Sequence, residues 1–480
     1  MNNIDLNEKM ILSEMSYWRV PGASVSYVTP DASNVRCFGV RNVQGQPVTE
    51  DTVFCIASCS KAMTSAVIAM LVSDGVLDYD KPVREYLPDL TMADNEASQQ
   101  MTLRDMLCHR SGLAPHDGIW PSDCTSREFE NRFAYLMPSA PFRNKAQYSN
   151  IVYTLAGHVA QEVTHLSWPD LMKKYLFDPL AMTSTTCSAK DLINAGNRAE
   201  PFKVQDGKLT QLKIWDVDTV SPAASVNTTG KDMIKWLDFL IAGGMLPSGK
   251  QLIRKDIFKE MITKQIDFTD FIDGENLYPL DGYGFGWQTG NYRGRPILRH
   301  TGKIEGYSSI QAFMPEDHIG VCVLLNFHSP TLSLMLTVLY DVLDRLLGLP
   351  KHDWPKDFHG QTPPSEADFN DCYSDIFGER YPQAQIRNFD LKDSAITGTY
   401  TNPGYDPIEI IHENDGYYMV NRRLKSKITP FYGGLYKVSG FKEDTMTYDM
   451  PLSFIKDKDG SIMALSIPLE PTISDIIFTR

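Results

Sequence analysis

The sequence predicts two textures in series: a sheet flanked by helices with a helical insertion, α/β plus all-α, and then a small all-β barrel or sandwich. Three observations predict this. Strand-like runs near residues 23–40 return only at 284–326, with helical periods between, so one sheet is assembled from distant segments. Pro350, Pro355, Pro363 and Pro364 stand among polar and charged neighbours and mark a linker. Beyond Leu391 short β-like pieces follow one another closely, punctuated by glycine. The expected domains are therefore residues 1–349, a linker at 350–390, and a β tail at 391–480.

The elements follow in order. Asn7 to Trp18 reads as a helix, and Ala23 to Val28 with Asn34 to Val40 as a hairpin around a Pro-Asp-Ala-Ser turn. After Ser58, Met63, Val67, Met70 and Leu71 recur at helical spacing, and Gly75 stands where a C-cap belongs, so a helix starts at Ser58 or just after. Leu77 to Trp215 shows helical periods, as in Ile151 to Glu162 and Trp168 to Leu176, with few convincing strands. Gly284 to Thr289, Ser308 to Met314 and Val321 to Asn326 read as strands, followed by an amphipathic helix to Leu349. The tail carries strands at Gly398-Thr-Tyr, Ile408 to Ile411, Tyr417 to Val420, Tyr436 to Val438, Ile462 to Ile467 and Ile476 to Thr479. Tyr417, Tyr418, Phe431 and Tyr432 are expected in its core.

Composition removes several function classes. A chain of 480 residues suggests two or three domains, and 42% apolar with 11% aromatic residues is the balance of a folding chain. With 46 Lys+Arg against 60 Asp+Glu, the net charge of −14 offers no footprint for nucleic acid or an anionic membrane. The first nineteen residues hold Asp5, Glu8 and Glu14 and lack an apolar run of signal length. Leu332 to Leu349 is interrupted by Asp341, Asp344 and Arg345, each costly at a bilayer centre. Eight cysteines without a C-x-x-C pair suggest neither a disulfide scaffold nor a zinc site, and the ten histidines do not cluster at ligand spacing. A cytoplasmic protein without membrane contact, metal or cofactor is the expectation.

Three short motifs carry chemistry. Ser58-Cys-Ser-Lys61 puts a hydroxyl and an amine one helical turn apart on one face. A serine hydroxyl needs a neighbour to take its proton, and lysine serves only if burial lowers its pKa well below about 10.4, a shift of about 3 units or roughly 4 kcal/mol. Ser439-Gly-Phe-Lys442 and Ser453-Phe-Ile-Lys456 share the pattern, but only Ser58 has an apolar approach, Val53 to Ala57, and a small-residue helix start. Tyr148-Ser-Asn150 lies before the helix at Ile151; a tyrosine can share a proton relay and an Asn amide can orient a carbonyl. Tyr400-Thr-Asn402 repeats the pattern. His300-Thr-Gly302 sits at a strand position where glycine admits close backbone approach and the following N–H, that of Lys303, can point into an oxyanion site. His116-Asp-Gly118 is a looser copy.

In order and spacing these motifs resemble the serine β-lactamase-like and penicillin-binding-protein superfamily, and within it D-aminopeptidase and esterase-type members. The flanking blocks Leu103-Arg-Asp-Met-Leu-Cys-His-Arg-Ser-Gly-Leu113, Tyr153-Thr-Leu-Ala-Gly157, Asp178-Pro-Leu-Ala-Met182, Gly284-Phe-Gly-Trp287, Met314-Pro315 and Leu324-Leu-Asn326 strengthen the resemblance, which covers about residues 5–349. It implies an antiparallel sheet with flanking helices and an acyl-enzyme mechanism. Ser58 would be the nucleophile, Lys61 its partner in proton transfer, Tyr148 a general base or proton donor to the leaving group, and Asn150 an orienting amide. The N–H groups of Ser58 and Lys303 would form the oxyanion hole, and Thr301 would line the strand against which a substrate pairs. The tail resembles the lipocalin-like C-terminal domain of some D-aminopeptidase-type relatives.

His300 stands where many β-lactamases carry lysine. A cationic clamp for a substrate carboxylate would then exist only below roughly pH 6.5, the ordinary imidazole value. Trp120 is a candidate pocket wall, His109 reads as structural, and Cys59 as a buried small residue. The expected activity is cleavage of amide bonds in small peptides or D-amino-acid derivatives through Ser58. An esterase or acyltransferase with the same site, and a penicillin-binding sensor that acylates without turnover, are the alternatives. The expected partners are a small acyl substrate and, as an option, a second copy of the chain.

Overall fold

The computed structural model describes residues 4–120, 122–205, 207–268, 277–329, 331–358, 396–422, 424–432, 435–438 and 450–480. Most of the expected linker, from residue 359 to 390, lies outside them, as do Cys372 and the Ser439 to Lys442 match. The chain divides into two compact units, residues 1–87, 101–110 and 152–370 in one, and 88–100, 111–151 and 371–480 in the other.

The first unit is built on a seven-stranded sheet. Its strands are β1 (Gly22–Val28), β2 (Ser33–Gly39), β3 (Leu280–Tyr283), β4 (Gln288–Tyr292), β5 (Arg295–Ile304), β6 (Tyr307–Met314) and β7 (Ile319–Leu325), in the spatial order β2-β1-β7-β6-β5-β4-β3. Every pairing is antiparallel, and β1 joins β7 with Val25 opposite Val323, so the N-terminal hairpin completes a sheet begun some 250 residues later. The five helices that matter most are α1 (Glu8–Tyr17), α2 (Ser60–Ser73), α3 (Asn150–Thr164), α4 (Gly230–Ile241) and α5 (Ser333–Leu346).

Strands β1, β6 and β7 are buried along their whole length, because the sheet is covered on both faces. Alternation decides which neighbour each residue meets. On one face Val25, Tyr27, Ile310, Ala312, Val321 and Val323 join Ile11 and Met15 of α1 and Leu336, Leu339 and Leu343 of α5 in one apolar core. Each large aliphatic side chain so buried contributes about 1.5–3 kcal/mol. The opposite face carries polar residues such as Ser26, Ser309 and Gln311, which hydrogen-bond to the elements packed on it. Ser26 Oγ donates to Gly230 O at 3.0 Å, where α4 begins, and Trp236 Nε1 of α4 donates to Gln311 Oε1 at 2.8 Å. A Cβ on Gly230 would stand 2.7 Å from Val35 Cγ1, so only glycine lets α4 start this close to the sheet.

Helix α2 is buried from Ser60 to Val72, and Gly75 ends it in the left-handed conformation, φ +72°, as the sequence predicts. Two strand expectations change. The run at Gly284 to Thr289 is a turn followed by the start of β4, because Gly286 adopts φ +77° and a Cβ there would come 2.6 Å from Lys61 O. The helical insertion also contains a hairpin, Phe202–Gln205 with Lys208–Gln211. At the start of the expected linker Trp354–Phe358 forms a short helix, with Trp354 buried against Tyr340 and donating to Asp344 Oδ2 at 3.1 Å.

The second unit holds a closed antiparallel barrel of eight strands: β8 (Gly398–Asn402), β9 (Tyr405–Glu413), β10 (Gly416–Asn421), β11 (Leu424–Tyr432), β12 (Leu435–Val438), β13 (Met450–Lys456), β14 (Ile462–Ile467) and β15 (Ile476–Thr479). Each strand pairs with the next, and Thr401 opposite Thr479 closes the ring. Tyr400, Ile408, Met419, Leu452, Leu465 and Phe478 fill the interior. Tyr417 is also interior, but Tyr418 faces outward, with its hydroxyl on Asp415 at 2.8 Å and Lys425 over its ring. The Tyr432 side chain lies outside the described residues. Among the described residues no helix is long and apolar enough to cross a membrane.

Candidate active site

Ser58 lies in a 3₁₀ turn, Ala57–Cys59, that leads into α2. The turn is forced: Ala57 holds φ +45°, a left-handed conformation costing a non-glycine residue about 1–2 kcal/mol. The polar face of the sheet holds it in place. Ser309 Oγ of β6 donates to Ile56 O at 2.8 Å, and Gln311 Nε2 donates to Cys59 O at 2.8 Å. Ser60 Oγ donates to Ala57 O at 2.6 Å and accepts from Val226 N at 3.0 Å. Gly302 is the other requirement. A Cβ at Gly302 would stand 2.5 Å from Ser309 Oγ and 3.1 Å from Cys59 N, so glycine is there to let β5 lie against the turn that carries Ser58.

Lys61, the second residue of α2 and one turn on from Ser58, is fully buried. Its Nζ lies 3.1 Å from Ser58 Oγ and donates to Ala223 O at 3.1 Å. Lys61 Nζ also stands 5.6 Å from the centre of the Tyr153 ring, whose hydroxyl meets Ser65 Oγ at 2.9 Å and donates to Leu107 O at 3.0 Å. Ser58 itself is half-buried, so the hydroxyl is reachable while the amine beneath it is not. Ala223 has no signature in sequence, since a backbone carbonyl in the short helix Ser221–Ala224 needs no particular side chain.

His300 is buried and belongs to a row of aromatic groups. Its Nδ1 lies 2.6 Å from Thr301 O and its Nε2 lies 2.8 Å from Tyr283 Oη. A carbonyl only accepts, so Nδ1 carries the proton and the Tyr283 hydroxyl donates to Nε2. The Tyr283 ring also packs on His109, which packs on Tyr153. Burial, reinforced by the Lys61 charge, pulls the His300 pKa down to about 3, and the same two causes hold His109 well below its ordinary value. Both rings are neutral at neutral pH. This corrects the expected cationic clamp: His300 does not gain charge near pH 6.5, because the unpaid desolvation of an imidazolium exceeds what Thr301 O returns.

Among the described residues β5 pairs with β4 as far as Arg299, and with β6 on through Thr301, Gly302 and Lys303. Thr301 and Lys303 are half-buried. Cys59 is buried, donating to His300 O at 3.2 Å with its thiol pushed up to about 12 by burial, in line with its reading as a packing residue.

Tyr148, Asn150 and Trp120 belong to the second compact unit. Tyr148 is half-buried two residues ahead of α3, and Asn150 is its first, buried residue, with Nδ2 donating to Asp117 Oδ1 at 3.4 Å. Trp120 is buried at the end of the turn Asp117–Ile119. The competing motifs separate by position: Ser453 and Lys456 lie on strand β13 and Tyr400-Thr-Asn402 on β8. In the block from Leu103 to Leu113, Asp105 is fully buried, accepts from Thr102 N at 2.9 Å as part of a capping box, and pairs with Arg110 at 2.6 Å.

Residues 13–337 match the Beta-lactamase family. The chain is 24% identical over 434 residues to the unguisins hydrolase ungD of Aspergillus violaceofuscus, covering 84% of this chain and 76% of that one. Among solved structures it is similar to the octameric penicillin-binding protein homologue from Pyrococcus abyssi, at a TM-score of 0.59 and 20% identity over 98% of both chains. It is also similar to the D-amino acid amidase from Ochrobactrum anthropi SV3, at a TM-score of 0.57 and 24% identity over 71% of this chain and 96% of that one. The chain belongs to the beta-lactamase family, within the serine β-lactamase and penicillin-binding-protein superfamily.

Proposed function

We propose that this serine hydrolase of the beta-lactamase family cleaves amide bonds of small peptides or D-amino-acid derivatives through an acyl-enzyme on Ser58. The observation that carries the reading is the Lys61 amine, fully buried and 3.1 Å from the half-exposed Ser58 hydroxyl. The names of a hydrolase and a D-amino acid amidase among similar proteins support hydrolysis of an amide.

In this mechanism Ser58 Oγ attacks the substrate carbonyl and its proton passes to Lys61 or Tyr148. The tetrahedral oxyanion sits between the N–H groups of Ser58 and Lys303, each such donor typically worth about 3 kcal/mol in the barrier. Collapse breaks the C–N bond, and the amine leaves with a proton returned through Tyr148. Water then hydrolyses the ester by the reverse relay and frees Ser58. Lys61 acts as a base only as the free amine, with Ala223 O holding it in line. Asn150 orients the substrate carbonyl, Thr301 and Gly302 line the strand against which a substrate pairs, and Trp120 is a pocket wall. His300, being neutral, acts by packing and by positioning Thr301 through its Nδ1 hydrogen bond.

A panel of amino-acid amides of both configurations, amino-acid p-nitroanilides, p-nitrophenyl esters and benzylpenicillin tests the reading. Turnover of amides, abolished in Ser58→Ala, is the expected result. Ester turnover alone would make the chain an esterase, and a stable penicilloyl adduct without turnover would make it a sensor. Self-assembly is part of the proposal, supported by the octameric Pyrococcus homologue; light scattering on the purified chain decides it.

A further inference from the structure

The segment 111–151, which carries Trp120, Tyr148 and Asn150, shares a compact unit with the barrel, and barrel side chains hold its first turn. His116 adopts left-handed backbone angles, φ 50° and ψ 40°, directly before the turn Asp117–Ile119. Three hydrogen bonds offset the strain. The His116 N–H donates to Glu470 Oε2 at 2.8 Å, ring Nε2 lies 2.9 Å from Met137 O, and Nδ1 lies 2.6 Å from Tyr405 Oη. The carbonyl of Met137 only accepts, so the proton sits on Nε2 and the Tyr405 hydroxyl donates to Nδ1. Glu470 is 2% exposed, and its other oxygen accepts from Thr472 N at 3.0 Å and Thr472 Oγ1 at 2.6 Å, which fixes the carboxylate. A Cβ on Gly118 would touch Leu469 and Tyr405, both at 3.8 Å, so the barrel packs directly on this turn.

A second anchor stands further along the segment. Asp406, its side chain 2% exposed, pairs with Arg132 at 2.6 Å and with Arg422 at 2.8 Å, and accepts from Ser122. Between the two anchors lies Asp117, whose Oδ1 accepts from Asn150 Nδ2 at 3.4 Å. A carboxylate has no N–H to offer, so the Asn150 amide must turn its NH₂ toward Asp117 and its oxygen elsewhere.

We propose that Glu470 and Tyr405 of the barrel are positioning residues for Asn150, acting through His116 and Asp117. The barrel thereby sets the orientation of the amide that meets the substrate carbonyl. The inference rests on the acyl-enzyme reading above and adds the barrel to it.

The test uses the full chain and the best amide substrate from the panel. Glu470→Ala and Tyr405→Phe are measured for kcat and KM in the native and Asn150→Ala backgrounds, with urea midpoints recorded beside them. The expected loss is about tenfold in kcat with KM within about twofold, shrinking to less than about twofold in the Asn150→Ala background, since residues acting through one group are not additive. Glu470→Gln, which keeps an acceptor for the His116 N–H, restores most of the rate. Lys427→Ala, which breaks the outer pair with Asp415 at 3.1 Å, leaves kcat unchanged. Equal losses in both backgrounds, or no loss in kcat, overturn the proposal. Should Glu470→Ala fail to fold, Tyr405→Phe in the native and Asn150→Ala backgrounds completes the same cycle. Ser58→Ala separates the two readings: activity surviving in it removes the acyl-enzyme mechanism, whereas activity lost in it but intact in Tyr405→Phe removes only the role of the barrel.

Discussion

Gly302→Ala adds one methyl group where β5 lies against the Ser58 turn. That methyl would stand 2.5 Å from Ser309 Oγ and 3.1 Å from Cys59 N, and deep inside contact of Ile56 O. Ordinary van der Waals contact begins near 3.4 Å, so the strand and the turn must part by about 1 Å. Ser309 cannot simply rotate away without losing its 2.8 Å bond to Ile56 O, which helps hold the strained Ala57. Overpacking of this kind costs about 1–3 kcal/mol of stability, and a 1 Å displacement of reacting groups about a hundredfold in rate. Urea unfolding of Gly302→Ala, with kcat/KM on the best amide substrate, reads both quantities. Near-native stability together with near-native kcat/KM would refute the argument that glycine is required for close packing of β5 on the nucleophile turn.

Four further outcomes follow from the same geometry. Lys61→Ala removes the amine 3.1 Å from Ser58 Oγ and should lower kcat by about a thousandfold with a smaller change in KM, read in steady-state kinetics. His300 is neutral in the folded chain down to about pH 3 and titrates near 6.5 when unfolded, so between those values the unfolded chain binds the extra proton. Its contribution is complete above pH 6.5 and is lost as pH falls toward 3, by roughly 4–5 kcal/mol at the limit; His109 and His116 shift in the same direction, and urea titrations of the native chain and His300→Gln between pH 4 and 8 should show a shallower slope in the variant. Asp105→Ala strips the buried partner of Arg110 and the cap of Thr102 and should cost about 3 kcal/mol in unfolding experiments. Iodoacetamide should label native Cys59 far more slowly than half-buried Cys37, because the Cys59 thiol is enclosed and pushed up to about 12.

The parts of the fold that were legible in sequence are those whose periodicity reports burial directly. Helix α2, its glycine stop and strands β6 and β7 are continuous apolar or small-residue runs because both of their faces are covered. Strands β11 and β13 escaped notice for a physical reason. Leu424 to Tyr432 interleaves lysines that point outward with Pro430 at a register shift, and Met450 to Lys456 carries Pro451, so each reads as a loop although a barrel wall tolerates both.

The site divides in the same way. Ser58 and Lys61 could be found because a helix brings residues three apart onto one face. Ala223, Ser309 and Gln311 could not, since they serve through a backbone carbonyl or as ordinary strand residues that happen to face the turn. The state of His300 was also hidden, because its charge is decided by Tyr283, Thr301 and the depth of burial rather than by its own motif. His116, which in sequence is only a looser copy of the third motif, adopts left-handed backbone angles and donates its N–H to Glu470 of the barrel, a contact its motif does not signal.

The most direct test of the account is intact-protein mass spectrometry after treatment with a fluorophosphonate, followed by peptide mapping. The account predicts a single adduct on Ser58, formed in the native chain, greatly slowed in Lys61→Ala and absent in Ser58→Ala. An adduct on another residue, or none on a folded chain that still turns over amides, would contradict it.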